Sequence, residues 1–291
     1  AGTITICSGN SVVISFNGTP NATVTYTVDG GANQTIVLDG TGLATLTTPV
    51  LTVSSTYALV SVSLSGAITC TQNLSGSAVV TVNPLPVITN VPANLIACSG
   101  DTVATNAFLS SPVGANFTWT NSNTSIGLAA SGTGNIPTFI AFNNGTSVTA
   151  TINIAATLNN CITSGSYTIT VNPLPVPNPI ISDYELCDYN TPGDEWEVFT
   201  LNSMDAEIAN GQSNVTISYY LTQGDAQTQT SPLPNLYSNI SNPQQIWINI
   251  RNNTTGCFSV SSFNLVVNPI PPAITPEPSM AGFIIIRQAP N

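Results

Sequence analysis

The stretch Val148–Leu158, VTATINIAATL in one-letter code, decides the fold. Apolar side chains occupy every even position from 148 to 158, and the odd positions between them are mostly Thr and Asn. Side chains of a β-strand alternate between two faces, so this pattern indicates a strand with one buried and one exposed face. Asn159-Asn160-Cys161 then marks a turn, and Tyr167, Ile169 and Val171 resume the alternation in a closing strand.

The same arrangement occurs in two other parts of the chain. Each long alternating run is preceded by a shorter one that places an aromatic residue on its apolar face, such as Tyr26, Trp119 or Tyr219. The long runs outside 148–158 have their apolar positions at Ala58, Val60, Val62 and Leu64, and at Ile246, Ile248 and Ile250. We therefore predict three modules of equivalent strand order.

An Asn-Pro signature closes each module. TVNPLP at 81–86 recurs as TVNPLP at 170–175 and as VVNPIP at 266–271. Short alternating strands in modules of this size, with Gly, Asn and Ser at the turns, are typical of antiparallel immunoglobulin-like sandwiches. The prediction is an all-β chain of three such sandwiches, at residues 1–84, 85–173 and 174–269, with one helix at Ser203–Gln212.

Proline-rich linkers join the predicted modules. Pro173, Pro175, Pro177 and Pro179 stand at alternate positions, and proline favours an extended, semi-rigid backbone. Three sandwiches on such linkers predict a rod. Residues 270–291 form a Pro-rich linker followed by Phe283, Ile284, Ile285 and Ile286. We expect these four residues to begin a further module or, alternatively, to act as an assembly strand that pairs with another chain.

The cysteines obey the repeat as well. Each module has one pair, and the interval between its members is identical in the first two modules and slightly longer in the third. The six residues are Cys7 and Cys70, Cys98 and Cys161, and Cys187 and Cys257. The expectation is a structural disulfide within each module, formed in an oxidising compartment; the alternative is six free buried thiols.

Composition excludes several function classes. The chain has 291 residues, with 2 Lys plus Arg, 13 Asp plus Glu and no His, for a net charge of −11. Without His there is no Ser-His or Cys-His pair and no imidazole metal ligand. So few cations on an acidic protein predict no nucleic-acid binding, and no stretch approaches the ~20 apolar residues of a membrane-spanning helix. The start, AGTI, lacks an initiator Met, and we expect a processed product or an excised fragment.

Two acidic patterns in the third module are candidate sites. Asp188, Asn190 and Asp194 partly match a calcium-binding loop, but Pro192 and Phe199 stand where further ligands belong. We expect a solvated acidic turn, with calcium as the alternative and no other cofactor. Glu195 and Glu197 flank Trp196 with the spacing of paired carboxylates. Alternation predicts Trp196 and Val198 inward and both glutamates in water, so no catalytic site and no enzyme are expected.

The residues of the second module resemble a known family. WTNSNTSIGL at 119–128, SGTGNIP at 131–137, Cys161 and the NPLP ending are similar to the PKD-like repeats of Bacteroidetes surface proteins. The first and third modules look like two other repeat types of those proteins. The resemblance implies a long, multi-repeat protein that the type IX secretion system exports to the flavobacterial cell surface, where such proteins serve as adhesins, including gliding-motility adhesins.

Three functions follow as hypotheses. The first is a non-enzymatic stalk segment of an extracellular adhesin, whose partners are neighbouring repeats, the type IX secretion machinery and an unknown surface or glycan ligand. The second is a subunit of an extracellular fibre built by edge or donor strands. The third is a carbohydrate-binding accessory module of a secreted hydrolase, for which the predicted exposed Trp247, beside Asn249 and Arg251, is the best support.

Overall fold

The computed structural model of the protein describes residues 2–104 and 107–271. It confirms the predicted all-β, immunoglobulin-like fold: each module has a larger sheet and one or two two-stranded sheets around a core. The chain divides into two compact units, with the boundary between Asn172 and Pro173. The first unit contains modules 1 and 2, and the second contains module 3.

Module 1 consists of strands β1 to β8. The larger sheet has the order β1-β8-β6-β3-β4, with β7 also paired to β6, and β2 pairs with β5 in the second layer. Strand β1 runs parallel to β8, whereas β6 is antiparallel to both β7 and β8, which together form one interrupted last strand. The strands are β1 (Gly2–Cys7), β2 (Val13–Asn17), β3 (Thr23–Val28), β4 (Gln34–Val37), β5 (Leu43–Thr47), β6 (Ser55–Leu64), β7 (Cys70–Asn73) and β8 (Ser77–Asn83).

Module 2 repeats this topology with an uninterrupted last strand. Its larger sheet has the order β10-β17-β16-β13-β14, and two further pairs, β11 with β15 and β9 with β12, complete it. The strands are β9 (Val87–Ile88), β10 (Leu95–Cys98), β11 (Thr102–Val103), β12 (Ser110–Ser111), β13 (Asn116–Asn121), β14 (Ser131–Thr133), β15 (Phe139–Ile140), β16 (Val148–Leu158) and β17 (Cys161–Asn172). A 3-10 turn spans Thr124–Ile126.

Module 3 has the sheet order β18-β23-β22-β20, with β19 paired to β21. The predicted helix is confirmed as a 3-10 turn, Leu201–Met204, that continues into α1 (Asp205–Ala209). A second helix, α2 (Gln223–Thr228), was not predicted. The strands are β18 (Tyr184–Cys187), β19 (Val198–Thr200), β20 (Val215–Tyr220), β21 (Leu236–Ser238), β22 (Gln244–Asn252) and β23 (Phe258–Asn268).

Each module has a core of its own, built from the predicted aromatic and aliphatic positions. Tyr26 and Trp119 are each 3% exposed, as expected for inward aromatics. The even positions of β16 and the three isoleucines of β22 are buried, with only Leu158 and Val148 at the strand ends partly exposed. These side chains pack between the two layers of each sandwich, where burial of apolar area is the main source of stability.

The predicted face of β6 is wrong over half of its length. Tyr57 and Leu59 contact the core instead of Ala58 and Val60, whereas Val62 points inward as expected. The register of β3 against β6 shifts between Thr25 and Tyr26. Such an irregularity inserts one residue and reverses which side chains face inward.

Candidate functional site

The most informative site is a covalent joint between modules 1 and 2. Cys7 and Cys161 form a disulfide, with their Cα atoms 5.6 Å apart although 154 positions separate them in sequence. The two cysteines belong to different sandwiches within the first unit. The bond therefore ties two neighbouring modules together instead of closing one of them.

Module 1 presents Cys7 at the end of the parallel pair that its first and last strands form at one edge of the larger sheet. Cys7 is the last residue of β1 and lies opposite Asn83, the last residue of the parallel strand β8. The backbone N–H of Ser8 donates to the Asn83 carbonyl at 2.8 Å, which holds the chain there beyond the strand. The cysteine consequently lies at the pole where the backbone leaves the module through Pro84.

Module 2 presents Cys161 from a tight hairpin. Leu158 of β16 lies opposite Cys161 of β17, so the loop contains only Asn159 and Asn160. Both have positive φ, 47° and 66°, the conformation that a two-residue type I′ turn requires and that asparagine tolerates best after glycine. The Asn83 side-chain Nδ2 donates to the Asn159 carbonyl at 3.1 Å. The joint is thus a disulfide with a hydrogen bond beside it.

The strand-end position of Cys7 recurs in the other modules. Cys98 lies opposite Asn172 at the end of β10 and β17, and Cys187 lies opposite Asn268 at the end of β18 and β23. The next backbone N–H donates to the Asn carbonyl in each case, at 2.8 Å and 2.9 Å. We call these three residues, Cys7, Cys98 and Cys187, the strand-end cysteines.

The hairpin position of Cys161 also recurs. Cys70 is the first residue of β7 and lies opposite Leu64 of β6. Cys257 immediately precedes β23, and its carbonyl accepts from the Asn252 N–H of β22 at 2.9 Å. We call Cys70, Cys161 and Cys257 the hairpin cysteines.

The predicted disulfide within each module is wrong. In module 2 the two cysteines lie at opposite ends of β17, a strand of 12 residues, which at ~3.3 Å per residue is about 36 Å long. A disulfide requires Cα atoms within about 7 Å. Cys161 is instead bonded to Cys7. Cys98 and Cys257 are disulfide-bonded as well. Cys70 and Cys187 are free and exposed.

The acidic loop of module 3 is organised around two buried carboxylates. Glu197 is 7% exposed, and it accepts from the backbone N–H groups of Tyr189 and Asn190, at 2.6 and 2.9 Å, and from the Asn190 side chain at 2.6 Å. Asp188 is 2% exposed; its Oδ2 accepts from the Gly193 N–H at 2.6 Å, and its Oδ1 is buried without a hydrogen-bond partner. Buried carboxylates need such donors to offset their loss of hydration.

This loop overturns the expected orientation around Trp196. Glu197 lies inward, while Trp196 and Val198 are 54% and 49% exposed. Glu195 has a positive φ of 60°, which interrupts the extended backbone on which the expected alternation depended. The two glutamates therefore do not share a face, and the paired-carboxylate arrangement is absent from the loop.

The calcium alternative stays a prediction. Of its three residues, Asp188 and Asp194 accept backbone N–H groups of the same loop, and Asn190 donates to Glu197. Within residues 2–104 and 107–271, no group of three or more His, Cys, Asp or Glu side chains is placed to hold a metal ion. No helix in that part of the chain is long and apolar enough to cross a membrane.

The predicted exposed platform at Trp247 is wrong. Trp247 is half-buried, and the neighbouring Asn249 is 3% exposed and donates to the Ala226 carbonyl of α2 at 2.9 Å. Helix α2, which was not predicted, packs against β22 and buries Asn249 on this face. The predicted assembly strand, Phe283–Ile286, lies outside the described residues.

Comparison with known proteins gives one family match. Residues 183–271 match the model of the family described as the Flavobacterium inter-domain disulphide bond domain. Module 3 is therefore similar to a domain type named for the kind of bond seen here, which supports the predicted origin among Bacteroidetes repeat proteins. No curated protein matches the chain.

Among solved structures the likeness is to tandem immunoglobulin domains. The titin I-band fragment I67–I69 shares 14% identity over 92% of this chain and 96% of that chain, with a TM-score of 0.43. The insect immune protein hemolin shares 13% identity over 92% of this chain and 73% of that chain, with a TM-score of 0.31. Neither comparison indicates an enzyme family, and nothing about binding follows from them.

Proposed function

We propose that this chain is a non-enzymatic stalk segment of a secreted cell-surface adhesin, in which disulfides between modules carry mechanical load. The observation that supports it is the Cys7–Cys161 bond, which spans two sandwiches. A disulfide that served only to stabilise one fold would close a loop inside that fold. Here each module already has its own apolar core, so the bond serves the connection between modules.

The joint has two covalent strands in parallel. One is the backbone at Asn83-Pro84, and the other is the Cys7–Cys161 bond, with the Asn83–Asn159 hydrogen bond beside it. A single linker acts as a hinge, whereas two separate connections restrict bending. This property suits a stalk that holds a distal binding site away from a cell surface.

The bond also changes the path of a pulling force. Tension applied to the two ends of the chain can pass directly from Cys7 to Cys161, so the bond shields the backbone between them from part of the load. Most of modules 1 and 2 lies in that protected segment. Stable disulfides require an oxidising environment, which supports the proposed location outside the cell; export by the type IX secretion machinery is proposed with it.

Single-molecule force spectroscopy on the full chain tests this function. The chain is pulled by its two ends, first oxidised and then in a thiol reductant. The intact bond bypasses 154 residue intervals. At ~3.5 Å per residue, the oxidised chain is therefore about 500 Å shorter at full extension than the reduced chain. We expect the reduced chain to extend further by at least that length. A Cys70→Ser/Cys187→Ser variant, which removes only the free thiols, is the matched control and should give the oxidised length.

Equal extension in both redox states would contradict a load-bearing role for the bond. Loss of the difference in the control variant would instead show that the free thiols contribute to it. Both outcomes are independent of what the distal part of the protein binds.

A carbohydrate-binding role is the second candidate function. The exposed Trp196 supports it, in place of Trp247, which is half-buried. Trp196 follows Glu195 in sequence, and the Glu195 carboxylate accepts a hydrogen bond from the Asn242 side chain at 3.3 Å. An exposed aromatic face with amide and carboxylate groups suits a sugar ring. A glycan array in which Trp196→Ala abolishes binding and Trp247→Ala does not would support it; no binding by the unmodified chain would reject it.

A further inference from the structure

Asp188 has a buried carboxylate oxygen that no described residue satisfies. The side chain is 2% exposed, and its Oδ2 accepts the Gly193 N–H at 2.6 Å and the Glu195 N–H at 3.4 Å. Its Oδ1 is buried without a hydrogen-bond partner. Removing a charged oxygen from water is costly, and buried charges are normally paired or bound to a metal ion. Asp188 Oδ1 therefore indicates a partner that the chain itself does not provide.

No basic side chain of the described residues can be that partner. Arg251 is the only one between positions 2 and 271, and it lies opposite Phe258 at the start of β23. The Asp188 N–H donates at 2.9 Å to the carbonyl of Asn268, at the other end of β23. The strand has 11 residues, so about 33 Å separates its two ends. Interactions between charges are largely screened beyond about 10 Å.

The negative charge around Asp188 is concentrated in one loop. Asp188, Asp194, Glu195 and Glu197 lie within ten consecutive residues. Four carboxylates without a basic residue near them attract cations from solution. Glu197 is already satisfied by three donors from Tyr189 and Asn190. Among the two buried carboxylates, Asp188 is thus the one that can still accept a ligand.

The loop after β18 has three elements of a calcium-binding turn. Such a loop takes oxygen ligands from its first and third residues and has Gly at its sixth position, where the backbone turns sharply. Asp188, Asn190 and Gly193 occupy these three positions, and Gly193 has a positive φ of 98°. The Gly193 N–H bonds Oδ2 of Asp188, which leaves Oδ1 of the same carboxylate for a cation.

We propose that the loop at 188–194 binds one calcium ion, with Asp188 Oδ1 as its central ligand and side-chain oxygens of Asn190 and Asp194 beside it. Asn190 donates to Glu197 through Nδ2, and Asp194 accepts the Trp196 N–H through Oδ1. The Asn190 Oδ1 and the Asp194 Oδ2 are not used in these contacts. Calcium takes six to eight oxygen ligands and accepts Asn and backbone carbonyls as well as carboxylates, so two carboxylates are sufficient.

Glu197 positions the loop and is not a ligand in this proposal. Its hydrogen bonds to residues 189 and 190 hold that part of the loop in place before an ion binds, and such preorganisation lowers the cost of binding. Pro192 and Phe199 stand where a calcium loop has its fifth and twelfth ligands, which limits the affinity. We expect a Kd of about 10⁻⁴–10⁻³ M, the range of extracellular calcium modules.

Calorimetric titration of the full chain with calcium chloride, after treatment with a chelator, tests this site. We expect one ion per chain and, by NMR, amide shifts confined to the loop at 188–197. Asp188→Asn and Asp194→Asn should each weaken binding about tenfold or more, because affinity depends on the charge of the ligands. Glu185→Gln removes an exposed charge next to the loop and is the matched control, with nearly unchanged affinity.

Magnesium chloride should bind about tenfold more weakly than calcium chloride, because Mg²⁺ requires a compact octahedral site. Asp194 is exposed, so Asp194→Asn tests the site even if Asp188→Asn does not fold. No saturable binding at calcium concentrations far above the expected Kd would overturn the proposal. Equal losses of affinity in Asp194→Asn and Glu185→Gln would also overturn it, because they indicate diffuse attraction of cations to an acidic surface. None of these measurements involves Cys7 or Cys161, so they do not test the stalk function.

Discussion

Cys98 lies opposite Asn172, the last residue of β17, whereas Cys161 is the first residue of that strand, so 12 residues and about 36 Å separate the two cysteines along β17. This separation, more than the disulfide itself, determines how the modules are connected. Cysteines this far apart cannot close the sandwich that contains them, and Cys161 is instead bonded to Cys7 of the preceding sandwich. The length of β17 therefore explains why Cys161 pairs with a cysteine of the neighbouring module and not with Cys98 of its own module.

The first prediction concerns the thiol inventory. Alkylation of the folded, unreduced protein should label Cys70 and Cys187 alone, because these are the free and exposed cysteines. Reduction in denaturant should make all six available. Peptide mapping under non-reducing conditions should recover Cys7 linked to Cys161. A peptide that links Cys98 to Cys161 would contradict the polar arrangement, and labelling of Cys7 would contradict the joint.

The sequence predicted the bounds of some strands to the residue, but it did not predict that the disulfide joins cysteines of two different modules. Strand β16 has the bounds of the alternating run at 148–158, since period-two alternation and an Asn-Asn turn define both its face and its end. The cysteines repeat with the modules, so pairing within a module and pairing with the next module satisfy the same spacing. Only the parallel pairing of Cys98 with the far end of β17, a long-range contact, separates the two.

The orientation of Trp196 shows a second limit. Alternation places an apolar residue inward by default, but here Glu197 is the buried one because three donors from the loop at 188–190 converge on its carboxylate. The sequence pattern of two glutamates around a tryptophan does not show where those donors lie in the fold, so it could not predict which side chain is buried. Helix α2, which packs against Asn249 of β22, is likewise too short for a periodic signal.

The second prediction tests the buried carboxylate. Glu197→Ala leaves the N–H groups of Tyr189 and Asn190 without an acceptor in a buried loop, which we expect to lower the free energy of unfolding of module 3 by about 2–3 kcal/mol. Glu185→Ala, at an exposed position with one hydrogen bond to Asn268, is the control and should cost about 0.5 kcal/mol or less.

Urea unfolding measures the difference, and amide hydrogen exchange locates it. Faster exchange at residues 189 and 190 in Glu197→Ala, with no change in module 2, is the expected signature. Equal midpoints for the two variants would show that the carboxylate is not a structural group.

The third prediction concerns the packing of Trp119. A Cβ atom added at Gly132 would lie 2.4 Å from Cζ2 and 2.6 Å from Cε2 of the Trp119 ring, which is itself 3% exposed in the core. Because the ring has no space to retreat, Gly132→Ala should destabilise module 2 by about 2 kcal/mol or more. Gly145→Ala in the same module, where no atom lies within 4 Å, should leave stability nearly unchanged. Thermal unfolding followed by tryptophan fluorescence compares them, and similar midpoints would refute the close contact.

The last prediction is a pH dependence that originates at Tyr219. Burial, followed by the hydrogen bond that its hydroxyl donates to Asp205 Oδ1 at 2.6 Å, raises the pKa of Tyr219 in the folded protein. An unfolded tyrosine titrates near pH 10. The stabilisation is therefore complete below about pH 10 and declines above it, because the unfolded chain then loses a proton that the folded chain retains.

Urea unfolding of module 3 at several pH values between 8 and 11 measures this decline, in a Cys70→Ser/Cys187→Ser background that prevents disulfide exchange. We expect Tyr219→Phe to lower stability by about 1 kcal/mol at pH 8, through loss of the hydrogen bond. The variant should also reduce the alkaline slope by as much as about 1.4 kcal/mol per pH unit, the value for one proton. Tyr189→Phe, at a 72% exposed position, is the matched control. An unchanged slope in Tyr219→Phe would mean that another group controls alkaline unfolding, because the folded and unfolded states would then bind the Tyr219 proton equally.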